Sequence, residues 1–229
     1  IQGITEFLPI SSSGHLKIGE AILNTPVKDN LLFTVVVHGA TVLSTLVVFR
    51  KDIFDLFTGL FQFKWNEQTK FSLKIVVSMV PVAIVGLFLK DHIEQLFESI
   101  DLVFIGFMLL ITATLLFFAW KYKGGNNDVG FMQSFIIGIS QAIAVIPGIS
   151  RSGATIGTAL LLKIDRTKAA KFSFLMVIIP ILGENFLDLF KGNFASSSIP
   201  VLSLFAGFMG AFIAGLIACK FMIKIVSQG

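Results

Sequence analysis

Apolar residues run in long blocks along this chain, and polar residues collect in the gaps between them. Five blocks approach or exceed the roughly 20 residues that a helix needs to cross a bilayer. They are Leu31–Phe49, Phe71–Leu89, Leu102–Trp120, Ala169–Phe190 and Ile199–Ile223. None alternates strictly between apolar and polar positions, so they predict helices rather than strands. Pro81, Pro180 and Pro200 fall in or at the start of these blocks. A proline is tolerated in a membrane helix where neighbouring helices satisfy the carbonyl it frees.

Two further stretches are apolar but broken by polar turns, and they resemble each other. The first runs Gly3-Ile-Thr-Glu6-Phe-Leu-Pro9-Ile-Ser11-Ser12-Ser13-Gly14-His15. The second runs Gly138-Ile-Ser-Gln141-Ala-Ile-Ala-Val-Ile-Pro147-Gly148-Ile-Ser150-Arg151-Ser152-Gly153-Ala-Thr155. Each has a glycine, then Glu or Gln three residues on, then a proline, then a serine-rich turn closing on Ser-Gly. Only the first carries a histidine, and only the second carries an arginine. After each turn the apolar run is too short to span: Leu16–Leu23 stops before Asn24-Thr-Pro26, and Ala154–Leu162 stops before Lys163. Each therefore predicts a helix, a polar turn at membrane depth and a short helix back out. Irregular backbone at that depth has to be buried in protein or line a wet cavity.

Counting sides gives the architecture. A re-entrant hairpin returns the chain to its starting side, and three spans follow the first hairpin, so the second hairpin enters from the opposite side. The expected fold is an all-α integral membrane protein, a polytopic bundle of two inverted repeats in one structural domain. The first repeat is 1–123, with hairpin 1–24 and spans 31–49, 71–89 and 102–120. The second is 124–229, with hairpin 131–163 and spans 169–190 and 199–223. Symmetry asks for one more span after Gly229, and a short helical start before Ile1 is expected too.

Composition and charge agree. The chain of 229 residues is 55% hydrophobic and 14% charged, where a soluble domain carries about 25% charged residues. Its mean hydropathy is +0.87. Phe is abundant at 25 and Tyr nearly absent at 1, which suits lipid-facing helices. The single cysteine, Cys219, excludes an internal disulfide and a cysteine metal cluster. The layout puts thirteen of the 18 Lys and Arg on one side, four on the other, and Arg151 inside a hairpin. That bias marks the richer side as cytoplasmic, and a wrong span count would have mixed the charges. The formal net charge of +4 therefore speaks to orientation, and nucleic acid is not an expected partner. On the cytoplasmic side, Asp52–Lys64 sets Phe54, Leu56, Phe57, Leu60, Phe61 and Phe63 among charges, the pattern of an interfacial amphipathic helix or an ordinary loop helix.

Ionisable groups at membrane depth are costly and mark function. Glu6, His15, His38 and Arg151 qualify. If the hairpin tips meet, a carboxylate, an imidazole and a guanidinium converge, with Ser11, Ser12, Ser13, Ser150, Ser152 and Thr155 around them. Arg151 presents a fork of donors matched to phosphate oxygens. A Ser-Gly turn opening a helix aims N–H groups at an anion, which describes Gly14 and Gly153 with their serines. A hydroxyl within reach of His15 or Glu6 is a candidate nucleophile, and His15 itself is another. Glu6, with Gln2 one turn before it, can orient a base or hold a divalent cation on a diphosphate. Phosphoryl chemistry is the economical reading.

Each feature also has a structural reading. Glu6 with Arg151 can be an ion pair joining two repeats, His15 a helix cap, and His38, beside Gly39, a helix-packing histidine. His92 sits with Asp91, Glu94 and Glu98 in an outside loop, and Glu184 and Asp188 can shape an entrance. A transporter or flippase for an anionic or lipid-phosphate substrate is the alternative function, because inverted repeats with broken helices are a transporter architecture. The hydroxyl–imidazole–carboxylate set exceeds what binding alone requires, and that favours an enzyme.

Gln2-Gly-Ile-Thr-Glu6-Phe-Leu-Pro-Ile-Ser-Ser-Ser-Gly-His15 and Pro147-Gly-Ile-Ser-Arg151-Ser-Gly-Ala-Thr155 closely resemble the two signatures of the bacterial undecaprenyl-diphosphate phosphatase family linked to bacitracin resistance. The resemblance implies a multi-pass enzyme of the bacterial inner membrane with its active site open toward the outer face. It implies removal of the terminal phosphate of undecaprenyl diphosphate, giving undecaprenyl phosphate, the lipid carrier for cell-wall polymers. It implies a divalent cation, Mg2+ first, with Gln2 and Glu6 as the metal-binding element. Ser12 and His15 become the hydroxyl and imidazole, and Ser150, Arg151, Ser152 and Thr155 the phosphate-binding turn. Gln2 stands where some relatives have Glu, so a metal there has fewer anionic ligands. Expected partners are membrane lipid and the polyprenyl diphosphate; a homodimer is left open.

Overall fold

The computed structural model describes residues 1–23, 31–89, 101–122, 124–190 and 199–228. Among the described residues the regular elements are helices, with one isolated parallel bridge between Asn127 and Ile164. In chain order they are α1 (Gln2–Thr5), α2 (Ser12–Leu23), α3 (Leu31–Val48), α4 (Arg50–Leu60), α5 (Glu67–Phe88), α6 (Leu102–Tyr122), α7 (Phe131–Ile143), α8 (Arg151–Leu161), α9 (Arg166–Met176), α10 (Ile178–Phe190) and α11 (Val201–Gln228).

Three of these, α5, α6 and α11, are long and apolar enough to cross a membrane. A fourth crossing exists if α3 and α4, which meet at 74° beside Phe49, count as one bent unit. The long helices carry exposed Leu87, Phe107 and Phe205 on their outer faces, and a surface this apolar is stable against lipid rather than water. The chain is a multi-pass membrane protein.

Four expected spans map onto single helices. Block 31–49 is α3, 71–89 lies almost wholly in α5, 102–120 lies in α6 and 199–223 lies almost wholly in α11. The fifth, 169–190, does not: α9 ends at Met176 and α10 begins at Ile178, giving halves of 11 and 13 residues. Pro180 is the cause. It has no N–H for the Met176 carbonyl and its ring crowds that carbonyl. Regular bonding resumes when the Ile181 N–H reaches the Val177 oxygen at 3.2 Å. Pro81 leaves α5 unbroken.

The buried centre is α9. Phe172, Phe174, Leu175 and Met176 are all at most 3% exposed, and α9 packs on α5, α8, α10 and α11. The rings of Phe7 and Phe49 both lean on Phe174, at 5.9 and 6.1 Å between centroids. At one end of the bundle, Lys171 pairs with Asp52 and Lys168 with Asp128, and the Lys74 ammonium lies 5.8 Å over the Phe131 ring. The α3–α4 corner, the start of α7 and the start of α9 therefore share one end. The Lys168 hydrogen bond holds the Asp128 carboxyl below the usual carboxylate range. The expected helix over 52–64 is α4. Ile53 and Leu56 pack on the core, and Phe54, Phe57 and Phe61 are exposed. The loop around His92 lies outside the described residues, as do the side chains of Glu184 and Asp188.

Candidate active site

The two serine-rich turns are built alike. Ser11 has φ +67, a left-handed conformation that turns the chain into α2. Its Oγ accepts the Gly14 N–H at 3.2 Å. In the second turn the Ser150 Oγ accepts the Gly153 N–H at 3.1 Å. These are N-caps that satisfy a donor with no helical partner. The second hydroxyl of each turn stands beside the cap: Ser13 is 3.3 Å from Ser11, and Ser152 is 3.3 Å from Ser150. Those second hydroxyls cross to the opposite turn. Ser13 Oγ accepts the Gly148 N–H at 3.4 Å, and the Ser152 hydroxyl donates to the Leu8 carbonyl at 3.3 Å. The tips touch.

Two glycines set how the first arm of each hairpin packs. A Cβ at Gly3 would overlap the Ala211 carbonyl oxygen of α11, and one at Gly138 would overlap the Ser78 carbonyl oxygen of α5. Helices approach this closely only where a side chain is absent. The matched glycines of the two motifs make matched contacts.

At the junction sits Glu6, only 11% exposed. Its Oε2 accepts the Ser12 hydroxyl at 2.7 Å and the Gln2 amide N–H at 2.9 Å. Arg151 Nη1, from the other hairpin, lies 3.9 Å from Glu6 Oε1. His38 Nε2 lies 4.0 Å from Oε2. The carboxylate thus has a hydroxyl to deprotonate and a guanidinium beside it, the parts of a nucleophile–base pair next to an anion-binding group.

His15 is held differently. Its Nδ1 is 2.9 Å from the Ser11 carbonyl. A carbonyl only accepts, so Nδ1 carries a proton here and Nε2 is the ring nitrogen left to exchange one. Among the described residues no hydrogen bond or ion pair joins His15 to Glu6, Ser12 or Arg151. Thr155 spends its hydroxyl proton on the Arg151 carbonyl at 3.0 Å, and so shores up the first turn of α8.

His38, singled out by its depth in an apolar block though equally readable as a packing histidine, faces Glu6. Thr112 of α6, unremarkable in sequence, accepts the Ser150 N–H at 3.0 Å and anchors the second turn.

No group of three or more His, Cys, Asp and Glu that could hold a metal occurs among the described residues. Gln2 nevertheless has a buried Oε1 with no hydrogen-bond partner. An amide oxygen and the Glu6 carboxylate make an oxygen pair of the sort a hard divalent cation accepts when substrate phosphates complete its shell. The donors fit such an ion only as a partial site.

The chain matches the family described as "Bacitracin resistance protein BacA" over residues 1–229. It is 56% identical over 230 residues to a protein of Christiangramia forsetii named "Undecaprenyl-diphosphatase", covering 100% of this chain and 87% of that one. It is similar to proteins of the same name from Bacteroides thetaiotaomicron, 53% identical over 233 residues, and Parabacteroides distasonis, 52% over 233 residues. Those matches cover 100% of this chain and 88% and 87% of the relatives.

Proposed function

The chain belongs to the bacitracin resistance protein BacA family, and from that premise we propose that it hydrolyses undecaprenyl diphosphate to undecaprenyl phosphate and phosphate. The observation that carries this onto particular atoms is the 2.7 Å hydrogen bond from Ser12 to a carboxylate that also faces Arg151. Ser12 Oγ attacks the terminal phosphorus while its proton passes to Glu6. The bond from that phosphorus to the bridging oxygen breaks, and undecaprenyl phosphate leaves with the electron pair. Arg151 and the N–H groups opening α8 hold the phosphate oxygens. Ser11, Ser13, Gly14, Ser150, Ser152, Gly153 and Thr155 shape the two turns around them. Water then releases phosphate from Ser12. His15 stands beside the nucleophile with its Nε2 uncommitted by the Ser11 contact, as an acid–base group for proton traffic at the turn. Gln2 and Glu6 would hold the divalent cation, which when bound neutralises charge on the diphosphate.

The architecture that goes with this is two inverted repeats whose re-entrant hairpins, 1–24 and 131–163, meet at the bilayer midplane. Its support is the paired equivalence of Gly3 on α11 with Gly138 on α5, and of the Ser11 and Ser150 caps. The basic end of the bundle faces the cytoplasm, and the site opens toward the outer face. Orthophosphate released from detergent-solubilised undecaprenyl diphosphate by the purified chain tests the reading. The wild type turns over and a folded Arg151→Ala protein is at least a hundredfold slower, on the order of an anion-stabilising group's worth. An unimpaired Arg151→Ala enzyme removes the shared site.

A further inference from the structure

Glu6 and Arg151 both line a cavity of about 30 Å³. One water requires about 10–15 Å³ on this measure, so there is room for about two. The walls are mostly apolar, through residues such as Phe7, Phe174 and Ile181, and five hydroxyl residues also line it: Thr41, Thr45, Ser152, Thr155 and Ser173.

The hydroxyl protons can be accounted for. Thr41 donates to the His38 carbonyl at 2.8 Å, Thr45 to Thr41 at 3.1 Å, Ser152 to Leu8 at 3.3 Å and Thr155 to Arg151 at 3.0 Å. These four have spent their protons on main-chain carbonyls and keep only lone pairs. Ser173 is the exception. It is 4% exposed, and its Oγ has no partner at all. A buried hydroxyl left without a partner is costly, so its place on the wall of this cavity calls for a ligand.

The chemistry of the lining selects that ligand. It offers several acceptors, including the Glu6 carboxylate, and two donors, the Arg151 guanidinium and the Ser173 hydroxyl. An anion would face lone pairs and a carboxylate. A cation would face Arg151. Water, with two donors and two acceptors, matches the set.

We propose that this cavity holds an ordered water, gripped by Ser173 and Thr155, which is the water consumed in the second half of the reaction. This rests on the two-step serine route above. The water oxygen bonds to the phosphorus carried on Ser12, and the Ser12 Oγ–phosphorus bond breaks. One water proton passes by way of Glu6 to the departing Ser12 oxygen, and phosphate leaves. Ser173 acts through the water, so it is a positioning residue.

The test uses the full chain in detergent with undecaprenyl diphosphate labelled in its terminal phosphate, quenched within the first turnover. Ser173→Ala should slow phosphate release about tenfold, the worth of one hydrogen bond, and leave the initial burst of undecaprenyl phosphate unchanged. Ser173→Val, which also fills the space, should slow release further and let label accumulate on Ser12. If Ser173→Val destabilises the protein in a thermal melt, the Ala variant decides. Wild-type release in the folded variants overturns the proposal, and so does an equal slowing of burst and release. Wild-type phosphate release by a folded Ser12→Ala protein refutes the serine route itself, and this proposal with it.

Discussion

Ser12 donates its hydroxyl to Glu6 Oε2 at 2.7 Å, reaching back across the turn to a residue six positions earlier. The bond is short because the acceptor is a carboxylate, and it aims a proton at the group best able to take it. If the two act as one unit, their effects on rate do not add. Ser12→Ala and Glu6→Gln should each lower kcat by about 10³-fold, within the range for loss of a nucleophile or its base, and the double variant should be no worse than the weaker single. Steady-state phosphate release on the four proteins checks this; multiplicative losses would separate the residues.

His15 is tied to the Ser11 carbonyl through Nδ1 and touches neither Glu6 nor Arg151 among the described contacts. It should therefore matter less than Ser12. His15→Gln, which keeps a donor for the Ser11 carbonyl, should cost about 10- to 100-fold, the lower part of the range for an acid–base group. Covalent trapping followed by peptide mapping gives a second readout. Label found on position 15, or a His15→Gln loss equal to that of Ser12→Ala, assigns nucleophilic attack to the imidazole.

Gly3 and Gly138 carry the packing that brings the tips together. A methyl group at either would occupy the space of a main-chain carbonyl oxygen on α11 or α5. Backbone cannot yield as a side-chain end does, so overpacking at each should cost about 1–3 kcal/mol. Gly3→Ala and Gly138→Ala should both melt earlier in detergent than the wild type. Gly210→Ala is the control, since a Cβ there meets nothing within 4 Å. Equal melting of all four proteins would mean that the close approach carries no weight.

Much of this was legible in the chain because membrane depth makes polarity expensive. Glu6 and Arg151 stood out against their apolar neighbours, and they meet. The caps of Ser11 and Ser150 follow from a serine three residues before a glycine at a helix start, which is a local rule. What escaped was whatever depends on how helices face each other. His38 allows a packing role beside a functional one until α3 is set against Glu6. Thr112 and Ser173 look like any small polar residue in a membrane helix until their partners, or the lack of one, are seen. The break at Val177 is half legible: Pro180 marks the place, but whether a membrane helix tolerates a proline depends on its neighbours, and α5 tolerates Pro81 while α9 and α10 do not run on.

The proposed orientation puts the end of the bundle where Lys171 meets Asp52 and Lys168 meets Asp128 in the cytoplasm, from the positive-inside bias. Chemical labelling reads this directly. Cys219 is fully buried and will not compete. Lys64→Cys stands exposed at the basic end, just beyond α4, and Asp101→Cys stands exposed where α6 begins at the other end. A membrane-impermeant maleimide should modify position 101 in sealed, right-side-out cells and position 64 only in inside-out vesicles. The reversed pattern would turn the molecule over and put the mouth of the site on the cytoplasmic face. Labelling of both positions from one side would mean that α5 does not cross between them, and the inverted-repeat arrangement would fall with it.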